Sequence, residues 1–528
     1  MTRSSHSALP GFRSSLFLAA LAAAAPAQAG DVSVQLDSGT GFVVKNSTGA
    51  IQRLRVDEAT GNISRNGALF VHTTGSSNTF VGVGAGSSSA FSSNNSAFGD
   101  SALLSNTAGG GNSAFGANAL GSNIVGNFNS AFGGSALRNS TGTANSAFGY
   151  EALRDSTTSN ANSAFGTSAL RSNTTGGHNT AVGFAAVYAN TTGGDNTAVG
   201  YSALKANVTS FASSAVGSGA LASNTTGGHN SALGWFALYS NTTGYSNSAV
   251  GSGALTSNTT GQFNTAVGNS ALPGSTSSYN TAVGSDALGL TSAGGNNTAV
   301  GSSALFFNLT GHDNVAVGRN AGLNATGNNN IYLANAGVAG ESGQIKIGTL
   351  GTHTQATIIG IAGRTSSGGS AVFVNSNGVL GTVTSSARFK QDVHDMGDQS
   401  DVLMKLRPVT FHYREDVVGA EDAKTTQYGL IAEEVEQVAP ELVAPDLEGK
   451  PYSVKYHELP ALLVNEAQKD HQAIAEQQRA RAQQQRAIDE QAAVIEQQRQ
   501  ENEAQQREIA SLTTRLARIE TQVSAAPH

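Results

Sequence analysis

A five-residue phrase of the form Asn-Ser/Thr-Ala-Val/Phe-Gly returns along this chain every 17 residues, with a step of 16 in two places. Its first positions run Asn78, Asn95, Asn112, Asn129, Asn145 and onward through Ser213 to Asn297 and Asn314. Seven residues after each start stands an Ala, usually followed by Leu, and Asn-Thr-Thr-Gly follows at Asn173, Asn190, Asn224, Asn241 and Asn258. Anchors that keep phase over so many units specify a repeat architecture. A unit this short holds one or two strands and two turns, so it has no core of its own and must bury its Ala, Val, Phe and Leu against the next copy. A β-solenoid satisfies that demand, with Gly and Asn supplying left-handed turns and Ser, Thr and Val a pleated surface. One coil per unit at strand spacing gives a stack of roughly 70 to 80 Å.

The repeat phrases are similar to those in the heads of trimeric bacterial adhesins, and that resemblance implies a trimeric β-roll. Catalysis on the solenoid would need clustered carboxylates or basic groups. Asp100, Glu151, Asp155, Lys205 and Asp286 are scattered instead. His178, Asp195 and His229 share the position before the repeat Asn, where solvated turns are the simplest reading and a metal-binding ladder the alternative. No metal and no cofactor is expected. The many Asn-x-Thr sequons read as turn chemistry.

Composition narrows the rest. Charged residues make up 12% and aromatics 6%, with 64 Gly, which does not describe stacked globular enzymes. The net charge is −7 and no basic cluster lies outside the C-terminal region, so no nucleic-acid partner is expected. There is no Cys, hence no disulfide or thiolate metal site. Arg3 and Arg13 precede the apolar run Leu16 to Ala25, and Ala27-Gln28-Ala29 stands before Gly30. These are the parts of a secretory signal with cleavage after residue 29, so the chain is read as a bacterial export product, secreted or held at the cell surface. No later segment can span a bilayer as a helix.

At Ser385-Ser386-Ala387-Arg388-Phe389-Lys390 the composition changes from charge-poor repeat to mixed, charged sequence. A Ser and a Lys can cut a peptide bond together if burial keeps the amine neutral, and Phe389 and Val393 are the apolar neighbours that would shelter it. Downstream stand Leu406-Arg407-Pro408-Val409-Thr410-Phe411-His412-Tyr413, Tyr428-Gly429-Leu430-Ile431-Ala432-Glu433-Glu434-Val435, Pro440-Glu441-Leu442-Val443 and Tyr452-Ser453-Val454-Lys455-Tyr456. Val409–Tyr413, Tyr428–Ala432 and Tyr452–Lys455 read as strands and Glu433–Ala439 as a short helix. His394, His412 and His457 lack metal spacing and read as surface or packing residues.

From 385 to about 470 the sequence resembles the C-terminal intramolecular chaperone and auto-protease of phage endosialidases, tail spikes and tail fibres. Ser385, Arg388, Phe389 and Lys390 fit that family's pattern, and Ser386 stands where Asp is usual. The resemblance implies that Ser385 is the nucleophile, Lys390 its general base, and Thr384–Ser385 the bond cut. The competing class is an uncut adhesive fibre in which the same segment only trimerises the chain.

Beyond Tyr456 there is no Gly as far as Val523, and Ala, Gln, Glu and Arg dominate, which predicts a long helix. Ile474, Arg481, Ile488, Ile495, Asn502, Ile509, Leu516 and Val523 fall seven apart as a positions, with Gln477, Gln484, Gln491, Gln498, Gln505, Leu512 and Ile519 at d. A seven-residue repeat specifies a left-handed coiled coil. The expected molecule is mainly β: signal peptide 1–29, β cap 30–77, trimeric β-solenoid 78–333, β stalk 334–384 with strands near 344–348 and 357–363, small α/β chaperone domain 385–465, and coiled coil 466–528. Its partners are copies of itself and a host-surface or glycan ligand.

Overall fold

A computed structural model describes residues 33–37, 41–45, 48, 52–361 and 366–524. The segment 1–29, expected to be a secretory signal, lies outside the described residues. The chain divides into two units, residues 1–357 and 358–528.

In the first unit five strands pair antiparallel in chain order: β1 (Ser33–Asp37), β2 (Gly41–Lys45), β3 (Gln52–Val56), β4 (Ile63–Arg65) and β5 (Ala68–His72). The fifth also pairs antiparallel with β6 (Thr79–Val81). From there every strand is three residues long and parallel to the next, through β7 (Ser96–Phe98) and β8 (Ser113–Phe115) to β20 (Val315–Val317), β21 (Ile331–Leu333) and β22 (Ile345–Ile347). Ser stacks on Ser, Ala on Ala and Phe on Phe, as in Ser113↔Ser130, Ala114↔Ala131 and Phe115↔Phe132. The molecule is therefore mainly β, a solenoid of about 16 turns ending in a separate helical region. The ladder runs one strand past residue 333, to Ile345–Ile347.

Each coil buries three apolar side chains, for example Ala114, Ala119 and Leu120. The strand Ala points inward while its neighbours Ser113 and Phe115 point outward, as the two-residue period of a strand requires. Gly116 follows at φ +138°, where a Cβ would lie 2.6 Å from the carbonyl carbon of Gly133 in the next coil, so only Gly fits. The left-handed turns were expected at Gly and Asn, yet they also fall on buried Leu: Leu120 has φ +51° and Leu137 +49°. Such a conformation costs about 1–2 kcal/mol for an L-residue. The cost is offset because stacking dictates the backbone: the Leu120 N–H donates to the Ala136 carbonyl at 3.0 Å, and its side chain enters the core.

The repeat Asn are fully buried and form a ladder along the axis. The Oδ1 of Asn112 accepts the backbone N–H of Asn129 at 2.9 Å, and the Asn112 Nδ2 donates to the Gly126 carbonyl, also at 2.9 Å. The pattern repeats from coil to coil, so turn chemistry accounts for only part of what these Asn do. A second ladder joins Asn173, Asn190, Asn207, Asn224, Asn241 and Asn258 through Nδ2-to-Oδ1 bonds. It stops at Asn258, where the next coil offers Ser275, and the Oδ1 of Asn258 is buried without a partner, as is that of Asn308 farther along the solenoid.

In the second unit, a nine-residue 3-10 segment, Gly397–Lys405, precedes two small hairpins. They are β25 (Val409–Phe411) with β26 (Gln427–Gly429), and β27 (Val443–Pro445) with β28 (Pro451–Val454). A further two-residue hairpin, β23 (Phe373–Val374) with β24 (Leu380–Gly381), lies upstream. A short helix α1 (Glu415–Val418) and a longer one α2 (Ala432–Val438) lie between these strands. Val435, Ala439, Leu442, Val443 and Val454 form a core that Leu406, Leu430, Leu459 and Leu462 flank. Helix α3 (Leu459–Val523) follows with 65 residues, about 97 Å at 1.5 Å per residue. None of its residues is buried, and Ile474, Ile488, Ile495, Ile509, Leu512 and Leu516 stand exposed.

The strand expected near 357–363 is not formed within 357–361. Ile358, Ile359 and Ile361 are exposed there and no neighbouring strand offers them a ladder. Ala362 and Gly363 lie outside the described residues.

Candidate functional site

Ser385 and Lys390 are brought together by one tight turn. Ala387–Phe389 forms a single 3-10 turn, in which the N–H of Phe389 donates to Ser386 (3.0 Å) and that of Lys390 to Ala387 (3.1 Å). The flanking Ser386 and Lys390 are extended, so the chain folds back on itself and the Lys390 Nζ reaches the Ser385 Oγ at 3.3 Å. That is the contact a nucleophile and its base require. The Arg388 guanidinium lies 4.6 Å from the centre of the Phe389 ring.

The shelter expected from Phe389 and Val393 is not formed. Their side chains are 58% and 74% exposed, and Thr384, Ser385 and Lys390 are exposed as well. Five residues of sequence bring the two groups within reach of each other, but the turn is too short to enclose them.

Behind the turn, several contacts tie distant blocks. The Arg407 guanidinium grips Glu434 with both donors, and this bond holds the Glu434 carboxyl below the usual carboxylate range. The Tyr456 hydroxyl accepts the Leu430 N–H at 2.8 Å, and Lys455 donates to the Glu441 carbonyl at 2.7 Å. Helix α3 is fastened to the 3-10 segment 397–405 by Asn465, which donates to the Gly397 carbonyl at 2.7 Å, by Glu466, which accepts from Ser400, and by Lys469, which pairs with Asp401. Hydrogen bonds donated to Asp401 and Glu466 raise the Lys469 amine above its usual range. Sequence reasoning missed this clasp, because Ser400 and Asn465 are 65 residues apart and neither belongs to a motif.

His457 packs its ring 4.6 Å from Phe373, and His412 bonds Thr426 at 3.2 Å. His178, Asp195 and His229 sit in left-handed turns on the surface of the solenoid. Among the described residues no group of three or more His, Cys, Asp or Glu is arranged to hold a metal ion. On the solenoid Glu151 is taken by Arg154 (3.0 Å) and Arg171 (2.7 Å), and Asp155 by Arg154 (2.7 Å), so these carboxylates are engaged in ion pairs. Among the described residues no helix is long and apolar enough to cross a membrane.

No curated protein and no solved structure matches the chain. Over the stretch that carries the Ser385–Lys390 turn and the Arg407–Glu434 clamp, residues 385–444, the chain matches the family model of the chaperone of endosialidase.

Proposed function

We propose that the chain is an exported, fibre-like surface protein of three identical copies, whose C-terminal region acts as an intramolecular chaperone and then cuts itself free between Thr384 and Ser385. A chaperone-of-endosialidase segment joined to a β-solenoid body fits a tail fibre or spike. The observation that carries the cutting step is the 3.3 Å approach of Lys390 Nζ to Ser385 Oγ.

In this reading the neutral Lys390 amine takes the Ser385 hydroxyl proton as the oxygen attacks the Thr384 carbonyl carbon. The Thr384–Ser385 C–N bond breaks, the new amine of Ser385 receives the proton back, and Thr384 is left as an ester on Oγ. Water then hydrolyses that ester, giving a carboxylate at Thr384 and free Ser385. A neutral amine needs burial, and a single chain leaves Lys390 exposed. Cleavage therefore waits until neighbouring copies close over the turn, which couples scission to assembly.

The need for a template follows from the repeats. Coils of nearly identical sequence pair almost equally well in wrong registers. The heptad face of α3, exposed along its whole length, offers a site where three copies fix phase first. Once cut, the body is kinetically trapped because its template has left.

Exposure of the Ser–Lys pair favours a second reading, an uncut fibre in which residues 385–528 stay attached as a trimerisation module. Gel mobility and intact mass of the secreted protein decide between them. The first reading expects a body ending at Thr384, and Ser385→Ala or Lys390→Ala expects full length; a wild-type chain that stays whole leaves only the second.

A further inference from the structure

Between Lys205 and Asp286 the chain has no Asp, Glu, Lys or Arg, yet it carries its one Trp and a concentration of exposed aromatic rings. Five of these side chains, Phe211, His229, Tyr245, Phe263 and Tyr279, occupy the two positions just before the repeat Asn, or Ser213 in its place, in five successive coils. Phe211 lies 5.2 Å from His229, Tyr245 5.1 Å from Phe263, and Phe263 5.2 Å from Tyr279, the last pair stacked. At about 4.8 Å per coil the row extends roughly 19 Å along strands that pair coil to coil.

We propose that this row is a binding site for a neutral, extended glycan. The C–H faces of sugar rings carry partial positive charge and pack on the negative faces of aromatic rings. One ring per coil, presented by face in some coils and by edge in others, gives an extended sugar polymer a succession of aromatic contacts along the axis. The coils also expose Thr226, Thr243 and Ser248, which hydrogen-bond hydroxyls without charge. The charge-free stretch disfavours anionic polymers and lipid headgroups, which recruit Lys and Arg. A second copy of the chain is the less fitting occupant. The strand's outward apolar position recurs along the whole solenoid from Phe98 to Val317, whereas rings at this register fall in five successive coils only here and stand singly elsewhere, at Phe128, His178 and His312. Rigid aromatic side chains lose little freedom on binding, so a row of them suits a recognition surface.

The inference rests on the solenoid being the displayed body of a fibre and is independent of cleavage at Ser385. Its test uses the intact protein, calorimetry, and hexamers of glucose and of N-acetylglucosamine in β-1,4 and α-1,4 linkage as probes. An acidic oligosaccharide and phosphatidylcholine vesicles serve as controls. Binding of a neutral hexamer is expected, with the dissociation constant rising at least tenfold in Phe263→Ala/Tyr279→Ala. Ala already occupies that register position at Ala144, Ala161 and Ala212, so the variant keeps a side chain the solenoid accommodates elsewhere. Unchanged thermal melting of the variant would confirm the fold. Failure of every neutral hexamer, preference for the acidic one or the vesicles, equal affinity of the variant, or a change in its oligomer mass would each overturn the proposal. None of these outcomes bears on the gel test of Ser385.

Discussion

The Lys390 amine nitrogen stands 3.3 Å from the Ser385 hydroxyl oxygen, held there by a single turn of 3-10 helix. Lys390→Arg keeps the positive charge and length but cannot act as a neutral base, since guanidinium does not deprotonate in proteins. Cleavage in this variant is expected to fall by at least a hundredfold, within the span that general-base catalysis contributes, while the oligomer mass by light scattering stays that of the wild type. A variant cut as fast as wild type would remove Lys390 from the reaction.

Asn112 tests the axial ladder. Asn112→Ala leaves the buried Asn129 N–H without its acceptor and the Gly126 carbonyl with only the Asn123 amide as donor. A loss of about 1–3 kcal/mol is expected, read from the denaturation midpoint of the uncut protein carrying Ser385→Ala beside the same protein with Asn112 intact.

Ser213 offers the opposite test. It replaces the ladder Asn in one coil, and there the Asn230 N–H finds only the Ser213 hydroxyl, at 3.4 Å. Ser213→Asn restores the regular rung and is expected to stabilise the solenoid by about 1 kcal/mol. A lower midpoint would show that the coil has adapted to Ser.

The heptad face of α3 makes a fourth prediction. Ile488→Lys with Ile495→Lys places two charges on the exposed apolar stripe. If three helices meet there, the mass of residues 385–528 falls from trimer to monomer, and helicity falls too, because a long helix with no partner is marginal in water.

His72 makes the cap sensitive to acid. Its ring is buried between Thr74 and the Ala85 carbonyl, with Nε2 2.6 Å from that oxygen, and burial lowers its pKa below the ordinary value near 6.5. The unfolded cap therefore takes up a proton before the folded one does. Its contribution to stability is complete above about pH 6.5 and declines as the pH falls below that value. Amide exchange in β5 is expected to quicken between pH 7.5 and pH 5 relative to the coils around Asn179, and His72→Gln to abolish the difference.

Much of this architecture is readable in the sequence because its period is strict. The Asn, Ala and Leu anchors announce one strand per 17 residues, and the strands stand in that register. The last coil is harder to read: Gln344 replaces the Asn and the step shrinks to 14 residues, so Ile345-Lys346-Ile347 looks like a separate strand. Left-handed Leu is invisible to propensity, since stacking imposes it. At the candidate site, Ser385 and Lys390 are close in sequence and the turn between them is local. The surroundings of that pair depend on groups far away in the chain, as does the clasp of Ser400, Glu466 and Asn465.

The Asn ladder also has a sense. Each amide oxygen serves the coil that follows and each amide nitrogen a turn carbonyl ahead of the next rung, so a coil needs from its neighbours only what another coil supplies. One edge is closed by the hairpins β1–β5, which no inserted coil would touch. Duplicating residues 230–246 would therefore lengthen the rod by one step and leave both extremities as they were. Reach is an adjustable property of this gene, changed in whole multiples of one coil without redesigning the tip or the tail.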